Sequence, residues 1–306
     1  MKILVIGGSY FLGRWFVQHA YKKSDITVLN RGNIPVGLEG VRELKADRHD
    51  INALKELKLD EYGYEAVVDF CAYNKGDIKT IIDSVDKNCL KKYIFISTVD
   101  VYKKGSGSCL TENAELEAVS TEDAQSEYIS GKIALEEEIA EECMEYGIKP
   151  VSVRPSVIYG PGNYAPRESI YIEWIKNAGQ ILHPIDATGY WQMIYVSDAA
   201  KALVKLCEMS ENKIETAYNF TSSDFMDYVK FEKALRAAYE LKSPGEKAYD
   251  MIEVQVEQVI KRGIPLPFVL TKEESECYSS KRYDALGINT TPVEKGLKAC
   301  IDSLGI

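Results

Sequence analysis

The sequence is poor in the residues that build metal centres and cross-links. Its 306 residues hold three histidines and seven cysteines, scattered without a C-x-x-C or a histidine cluster, and His183 stands just before Pro184. Neither a metal site nor a disulfide framework is expected, and a reducing cytoplasm is the expected compartment. No apolar run approaches the roughly 18–20 residues that span a bilayer, and no signal peptide is expected ahead of the first apolar segment. Positive charge is also short: 37 Lys and Arg face 47 Asp and Glu, for a net charge of −10. That balance argues against nucleic acid or an anionic membrane as the main partner, since both are bound mostly through basic patches. Internal repeats and linker-like stretches are missing too. What remains, 45% hydrophobic and 27% charged, is the composition of a soluble globular enzyme able to bury a substantial core as one large domain or two.

The chain opens on Met1-Lys-Ile-Leu-Val-Ile-Gly-Gly-Ser-Tyr-Phe-Leu-Gly13. Ile3 to Ile6 is an unbroken apolar run suited to a strand buried on both faces of a parallel sheet. It passes into glycines and then into a helical stretch, Arg14 to Tyr21. Strand, glycine turn and helix together form the opening of a dinucleotide-binding unit. The glycines let the backbone approach a pyrophosphate, and the helix N-terminus offers it free N–H groups. The spacing is Gly7-x-x-Tyr10-x-x-Gly13, with a tyrosine where the usual triplet has its middle glycine.

Further strands are expected at Asp25–Asn30, Val41–Asp47, Ala66–Phe70, Tyr93–Ser97 and Val151–Arg154. Between them lie a short helix capped by Asp50, one near Asp77–Val85, and a long one from Ser126 to Tyr146. This rhythm gives an α/β doubly wound parallel sheet with ligands at the carboxyl ends of its strands. Asn30-Arg31 follows the second strand, where an NAD-preferring unit carries an acidic residue; arginine there suits a 2′-phosphate and mildly favours NADP, with a charged turn as the alternative. Asp47 sits where an adenine would lie. Lys103–Gln125 reads as an exposed loop, and Glu136-Glu137-Glu138 as a solvated helix face. Beyond Tyr159-Gly-Pro-Gly-Asn163 the pattern becomes irregular. Helices are expected at Glu168–Asn177 and Ser197–Met209, and strands at Gln192–Val196 and Ala217–Phe220. The remainder, including Met251–Lys261, reads as mostly helical.

Chemistry concentrates in Tyr128-Ile-Ser-Gly-Lys132. Residues four apart share a helix face, and a nearby ammonium stabilises a phenolate, drawing the tyrosine toward acid/base work. Of the 20 tyrosines, Tyr128 alone has a lysine four residues on. The fifth strand supplies a hydroxyl partner, Ser97 or Thr98, and spacing does not choose between them. Capping a turn is the alternative for Thr98, and Asp100 reads as a solvated carboxylate.

Gly7 to Gly13, Ser97-Thr98-x-x-x-Tyr102, Tyr128-x-x-x-Lys132, Arg154-Pro155-x-x-x-Tyr159-Gly160-Pro161 and Ile194-Tyr195-Val196-x-Asp198 occur in that order. The chain resembles an extended short-chain dehydrogenase/reductase of the NAD-dependent epimerase/dehydratase group, in its atypical branch. The resemblance spans nearly the whole chain. It implies a seven-stranded Rossmann sheet (1–163 and 191–222) and a smaller C-terminal substrate domain (164–190 and 223–306). It implies Thr98, Tyr128 and Lys132 as the catalytic triad. Cofactor contacts would come from Gly7, Gly8, Ser9, Tyr10, Phe11, Leu12, Gly13, Asn30, Arg31, Asp47, Cys71, Ala72, Tyr128, Lys132, Pro155 and Val157. It further implies NAD(P) as cofactor, a small-molecule substrate and a homodimer. Two alternatives stay open: a catalytically silent, RNA-associated nucleotide-binding protein, as some atypical chloroplast relatives are, and a reductase of a small carbonyl compound. Tyr190-Trp191-Gln192-Met193 stands where many nucleotide-sugar enzymes carry an arginine for the diphosphate, and Trp191 suits ring stacking, an interface or the core.

Overall fold

The computed structural model describes every residue except Ser106, Lys247 and Ile306. Its strands are β1 (Lys2–Ile6), β2 (Asp25–Asn30), β3 (Arg42–Lys45), β4 (Ala66–Asp69), β5 (Lys92–Ile96), β6 (Lys149–Pro155), β7 (Val157–Tyr159), β8 (Gln180–Pro184), β9 (Trp191–Tyr195), β10 (Ala217–Phe220), β11 (Phe225–Met226) and β12 (Asp250–Val254). Its helices are α1 (Phe11–Ala20), α2 (Ile51–Glu56), α3 (Asp77–Ser84), α4 (Ala124–Tyr146), α5 (Glu168–Ala178), α6 (Val196–Glu208), α7 (Tyr228–Lys242), α8 (Val256–Lys261), α9 (Lys281–Asp284) and α10 (Val293–Ser303).

Seven strands form one parallel sheet in the order β10-β6-β5-β4-β1-β2-β3. The period of two along β1 sorts its apolar run between two cores. Ile3 and Val5 face α1 and α6, while Leu4 and Ile6 face α3 and α4. Both faces are covered, which is why the run is continuous rather than alternating. The chain leaves β1 toward β2 and β3, then returns to the opposite side of β1 as β4. That reversal opens a crevice at the carboxyl ends of β1 and β4. The expected doubly wound Rossmann sheet is present.

A third core gathers α5, α7 and α10 around Trp191, which stacks on Phe268 with ring centroids 4.3 Å apart. Trp191 is therefore a core residue. Of the roles open to it, the core is the one observed.

Four expectations need correction. Met251–Val254 is not helical: it belongs to β12, which pairs with β8 in a separate parallel ladder, Met251 opposite Ile181. The partner lies some seventy residues away, so local periodicity carries no trace of it. Lys103–Gln125 is not simply exposed, since Leu110 and Glu112 are buried. Cys109 in that segment is disulfide-bonded to Cys277, 168 residues away, a pairing that no local cysteine spacing signals. Of the Glu136–Glu138 run only Glu137 faces solvent. Glu138 shares the buried side of α4 with Leu135 and Ile139, and its carboxylate accepts from Gly76 N at 2.6 Å and Lys79 N at 2.8 Å at the start of α3. Glu136 accepts from Arg154 Nε at 2.9 Å.

Candidate active site

The glycine turn opens into the crevice. Gly7 and Gly8 take φ of 92° and 76°, a left-handed conformation that glycine adopts without penalty. A Cβ on Gly13 would lie 2.8 Å from the Cα of Gly8, so only glycine lets α1 sit this close to the turn. No side chain caps the first turn of α1 and no acid occupies it, which leaves its N–H groups and positive dipole end for an anion. Tyr10 is 52% exposed. Its ring lies 5.4 Å from that of Tyr164, at the mouth rather than across the turn.

From this turn a cleft runs both ways. The smaller lobe, about 350 Å³, is lined by Ser9, Asn30, Arg31, Asp47, Arg48, His49, Cys71 and Tyr73 among others. Asn30 donates to Ser9 Oγ at 2.8 Å, tying the end of β2 to the turn. Arg48, absent from the sequence reading although it adjoins Asp47, is buried beside Asp69 at 2.9 Å and Asp77 at 3.6 Å. Burial opposes its charge, yet Asp69 outweighs that and raises its pKa.

The larger lobe, about 740 Å³, holds Gly7 to Gly13 together with Ser97, Thr98, Asp100, Tyr128, Lys132 and Pro155. Helix α4 brings in Tyr128 and Lys132, and it starts where Asp123 accepts from Ser126 N at 2.8 Å. Lys132 is 4% exposed. Its Nζ donates to the carbonyls of Ala72 at 3.1 Å and Ile96 at 3.0 Å, and lies 5.8 Å from the Tyr128 ring centroid. Thr98 caps the turn after β5: its Oγ1 accepts from Asp100 N at 3.2 Å and donates to Asp100 Oδ2 at 3.1 Å. Ser97 Oγ is buried with no hydrogen-bond partner among the described residues. Both hydroxyls line the lobe, so geometry keeps both as candidates. Two expected contacts lie off the lining. Ala72 is fully buried behind it and gives its carbonyl to Lys132, while Ser156 and Ile158 line the lobe on either side of Val157. Sequence reasoning missed Tyr73, Tyr164 and Arg167 as lining residues. The turn-rich Tyr159–Asn163 that leads into Tyr164 and Arg167 was the available signal.

The profile of the NAD dependent epimerase/dehydratase family matches residues 3–220. The chain belongs to that family. A curated relative, the chloroplast stem-loop binding protein of 41 kDa b from Arabidopsis thaliana, is 27% identical over 252 residues, covering 78% of this chain and 63% of the relative. Among solved structures, a UDP-N-acetylglucosamine 4-epimerase from Methanobrevibacter ruminantium M1 superposes with a TM-score of 0.76 at 17% identity, over 99% of this chain and 97% of that one. The UDP-glucose 4-epimerase of Thermus thermophilus, in complex with NAD, gives 0.74 at 19% identity over 99% and 98%. A dTDP-glucose 4,6-dehydratase from Bacillus anthracis str. Ames, also in complex with NAD, gives 0.74 at 16% over 99% and 96%. At these identities the likeness establishes the fold. Among the described residues, no helix is long and apolar enough to cross a membrane.

In this family member the electrostatics of the pair reverse the sequence-based expectation. Although the Tyr128 side chain is 42% exposed, lost hydration along the cleft wall pushes its phenol up to about 12, with the Asp100 carboxylate adding to the rise and Arg167 opposing it. Burial also lowers the Lys132 ammonium to about 8, against the pull of Asp69. The lysine faces two carbonyls rather than the phenol oxygen, so it does not lower Tyr128 as the i, i+4 spacing predicts.

Proposed function

We propose that this protein is an NAD(P)-dependent oxidoreductase of the epimerase/dehydratase type, working on a hydroxyl or carbonyl carbon. The observation that carries this reading is the continuity of one cleft from the glycine turn to Thr98, Tyr128 and Lys132. The residues present fit the cofactor: a glycine cradle that a Cβ at position 13 would fill, and an uncapped helix start free of acidic charge. Bound there, a nicotinamide supplies hydride acceptance or donation. Gly7 to Gly13 would hold the pyrophosphate by backbone N–H groups, Asn30 and Arg31 the adenosine ribose, and Lys132 the second ribose. Tyr128 would move a proton at the reacting oxygen, with Thr98 or Ser97 hydrogen-bonding that oxygen. We assign cofactor binding to 1–163 and 191–222, and substrate binding to 164–190 and 223–306. A sugar nucleotide is the substrate class the neighbours' names suggest. Trp191, packed in the core at the place of a diphosphate arginine, favours a smaller hydroxy or keto compound.

Fluorescence titration with NADPH and NADH tests the cofactor part. NADPH should bind more tightly, and Arg31→Ala should narrow the gap; equal affinities would remove the NADP preference, and no binding of either would remove the reading. We also infer a homodimer through α3 and α4, which light scattering returning a monomer would exclude. A second reading, binding of structured RNA, is favoured by the name of the Arabidopsis relative and opposed by the net charge of −10. Gel-shift with an RNA stem-loop decides it: retention at physiological salt supports RNA binding, and loss of all binding there removes it.

A further inference from the structure

Among the described residues, four Lys and Arg side chains line the two lobes of the cleft: Arg31 and Arg48 in the smaller, Lys132 and Arg167 in the larger. Two of them are committed inward. Arg48 is paired with Asp69 and Asp77, and Lys132 donates to the carbonyls of Ala72 and Ile96. Arg31 and Arg167 have no ion pair or side-chain hydrogen bond among the described residues. In a chain with ten more acidic than basic residues, two unpaired guanidinium groups at opposite ends of one cleft mark two places for anionic ligand groups. Arg31 stands at the adenosine end, where the cofactor takes it. Arg167 stands at the reaction end, and the charges in reach are otherwise engaged.

Its neighbour Glu168 is 1% exposed and feels the Arg167 charge without forming an ion pair with it. That carboxylate accepts from Gly160 N at 2.9 Å and from Asn163 Nδ2 at 3.0 and 3.1 Å, which fixes the loop from which Arg167 projects. Asp100, the acidic residue of the larger lobe, is held by Thr98 at 3.1 Å and Lys104 at 3.3 Å. Tyr164 on the same loop packs against Tyr10 and Phe11, closing the loop onto the glycine turn. Arg167 is near enough to Tyr128 for its charge to oppose the rise in the phenol's pKa. A guanidinium presents a rigid fork of donors suited to carboxylate or phosphate oxygens.

We propose that Arg167 recognises an oxyanion of the substrate, so that the compound turned over here carries a carboxylate or phosphate close to the carbon bearing the reacting oxygen. This rests on the reaction proposed above, because Tyr128 is what marks that oxygen. A small acidic hydroxy or keto compound also agrees with the packed aromatic core around Trp191.

The test uses the full chain loaded with NADPH. Thermal stability is titrated with inorganic phosphate and, separately, acetate, against chloride at matched ionic strength, for wild type, Arg167→Gln and Arg31→Gln. A saturable rise with either anion is expected in wild type and Arg31→Gln, and the stronger of the two identifies phosphate or carboxylate as the group recognised. In Arg167→Gln the anion's Kd should rise about 10- to 100-fold, as for loss of one charge-assisted pair, with the NADPH Kd unchanged. The proposal is overturned by no saturable anion response in wild type, by a response that survives Arg167→Gln, or by an equal weakening of NADPH, which would assign Arg167 to the cofactor. Failure of wild type to bind any nicotinamide cofactor would remove the parent reading instead, and the same titration on unloaded protein then decides Arg167.

Discussion

Lys132→Met should change how stability depends on pH, and the sign follows from burial. The ammonium is 4% exposed and its pKa is lowered to about 8 from an ordinary 10.5. Below pH 8 the lysine is protonated in both folded and unfolded chains, and the fold carries the full cost of the buried charge, about 3 kcal/mol for that gap. Between pH 8 and 10.5 the unfolded chain binds the extra proton, so wild-type stability rises with pH relative to the methionine variant. The hydrogen bonds to Ala72 and Ile96 set a pH-independent offset. The titration alone sets the slope. Urea denaturation of both cofactor-free proteins across this window gives the difference directly, and other titrating groups cancel in it. A difference that stays flat, or that falls with pH, would refute a depressed Lys132. The same linkage reaches function: an anionic cofactor beside Lys132 favours its charged form, so affinity should decline above pH 8 by up to about tenfold per pH unit and lose that dependence in Lys132→Met.

Two further variants separate catalysis from stability. Tyr128→Phe should leave folding and cofactor affinity near normal while cutting turnover by about 10²–10⁴-fold once a substrate is known; near-normal turnover would end the acid/base assignment. Arg154→Met should destabilise by about 3–5 kcal/mol in urea titrations, because it leaves the Glu136 carboxylate buried without its partner. The double variant Arg154→Met/Glu136→Leu should recover much of that loss.

Legibility in the sequence tracks how local each interaction is. The β1–turn–α1 unit is readable because its strand period, its glycines and its helix all fall within twenty residues. Tyr128 and Lys132 are readable as a shared helix face for the same reason. The role of Glu138 is not, because its partners, the backbone N–H groups of Gly76 and Lys79, lie about sixty residues upstream and carry no side-chain signature. Pairing of β12 with β8, and of Cys109 with Cys277, likewise depends on segments that meet only in the folded chain. Arg48 and Arg167 differ in kind. Each is an ordinary arginine in sequence, and what distinguishes them is whether a carboxylate lies opposite once folded: Asp69 for one, none among the described residues for the other.

The pair at the reaction end shows why identity of residues does not settle their tuning. A phenol held near 12 is a poor base at neutral pH, and an ammonium held near 8 is still mostly charged there but loses its proton just above that pH. Both displacements come first from lost hydration, nearly complete at Lys132 and partial at the 42% exposed Tyr128, and it acts in opposite directions on an acid that becomes anionic and a base that becomes cationic. Added positive charge beside Tyr128 would lower the phenol, and added negative charge beside Lys132 would keep the ammonium. An oxidised nicotinamide nucleotide carries both, a cationic ring and an anionic diphosphate. On the proposed reading, the protein chain alone leaves the Tyr128 phenol too high for base work, and a bound oxidised cofactor would lower the phenol and hold the Lys132 ammonium charged. On this account the Tyr128 phenol should titrate markedly lower, by ultraviolet difference spectroscopy against Tyr128→Phe, in the oxidised-cofactor complex than in the cofactor-free protein. An unchanged titration would mean that tuning resides elsewhere in the cleft.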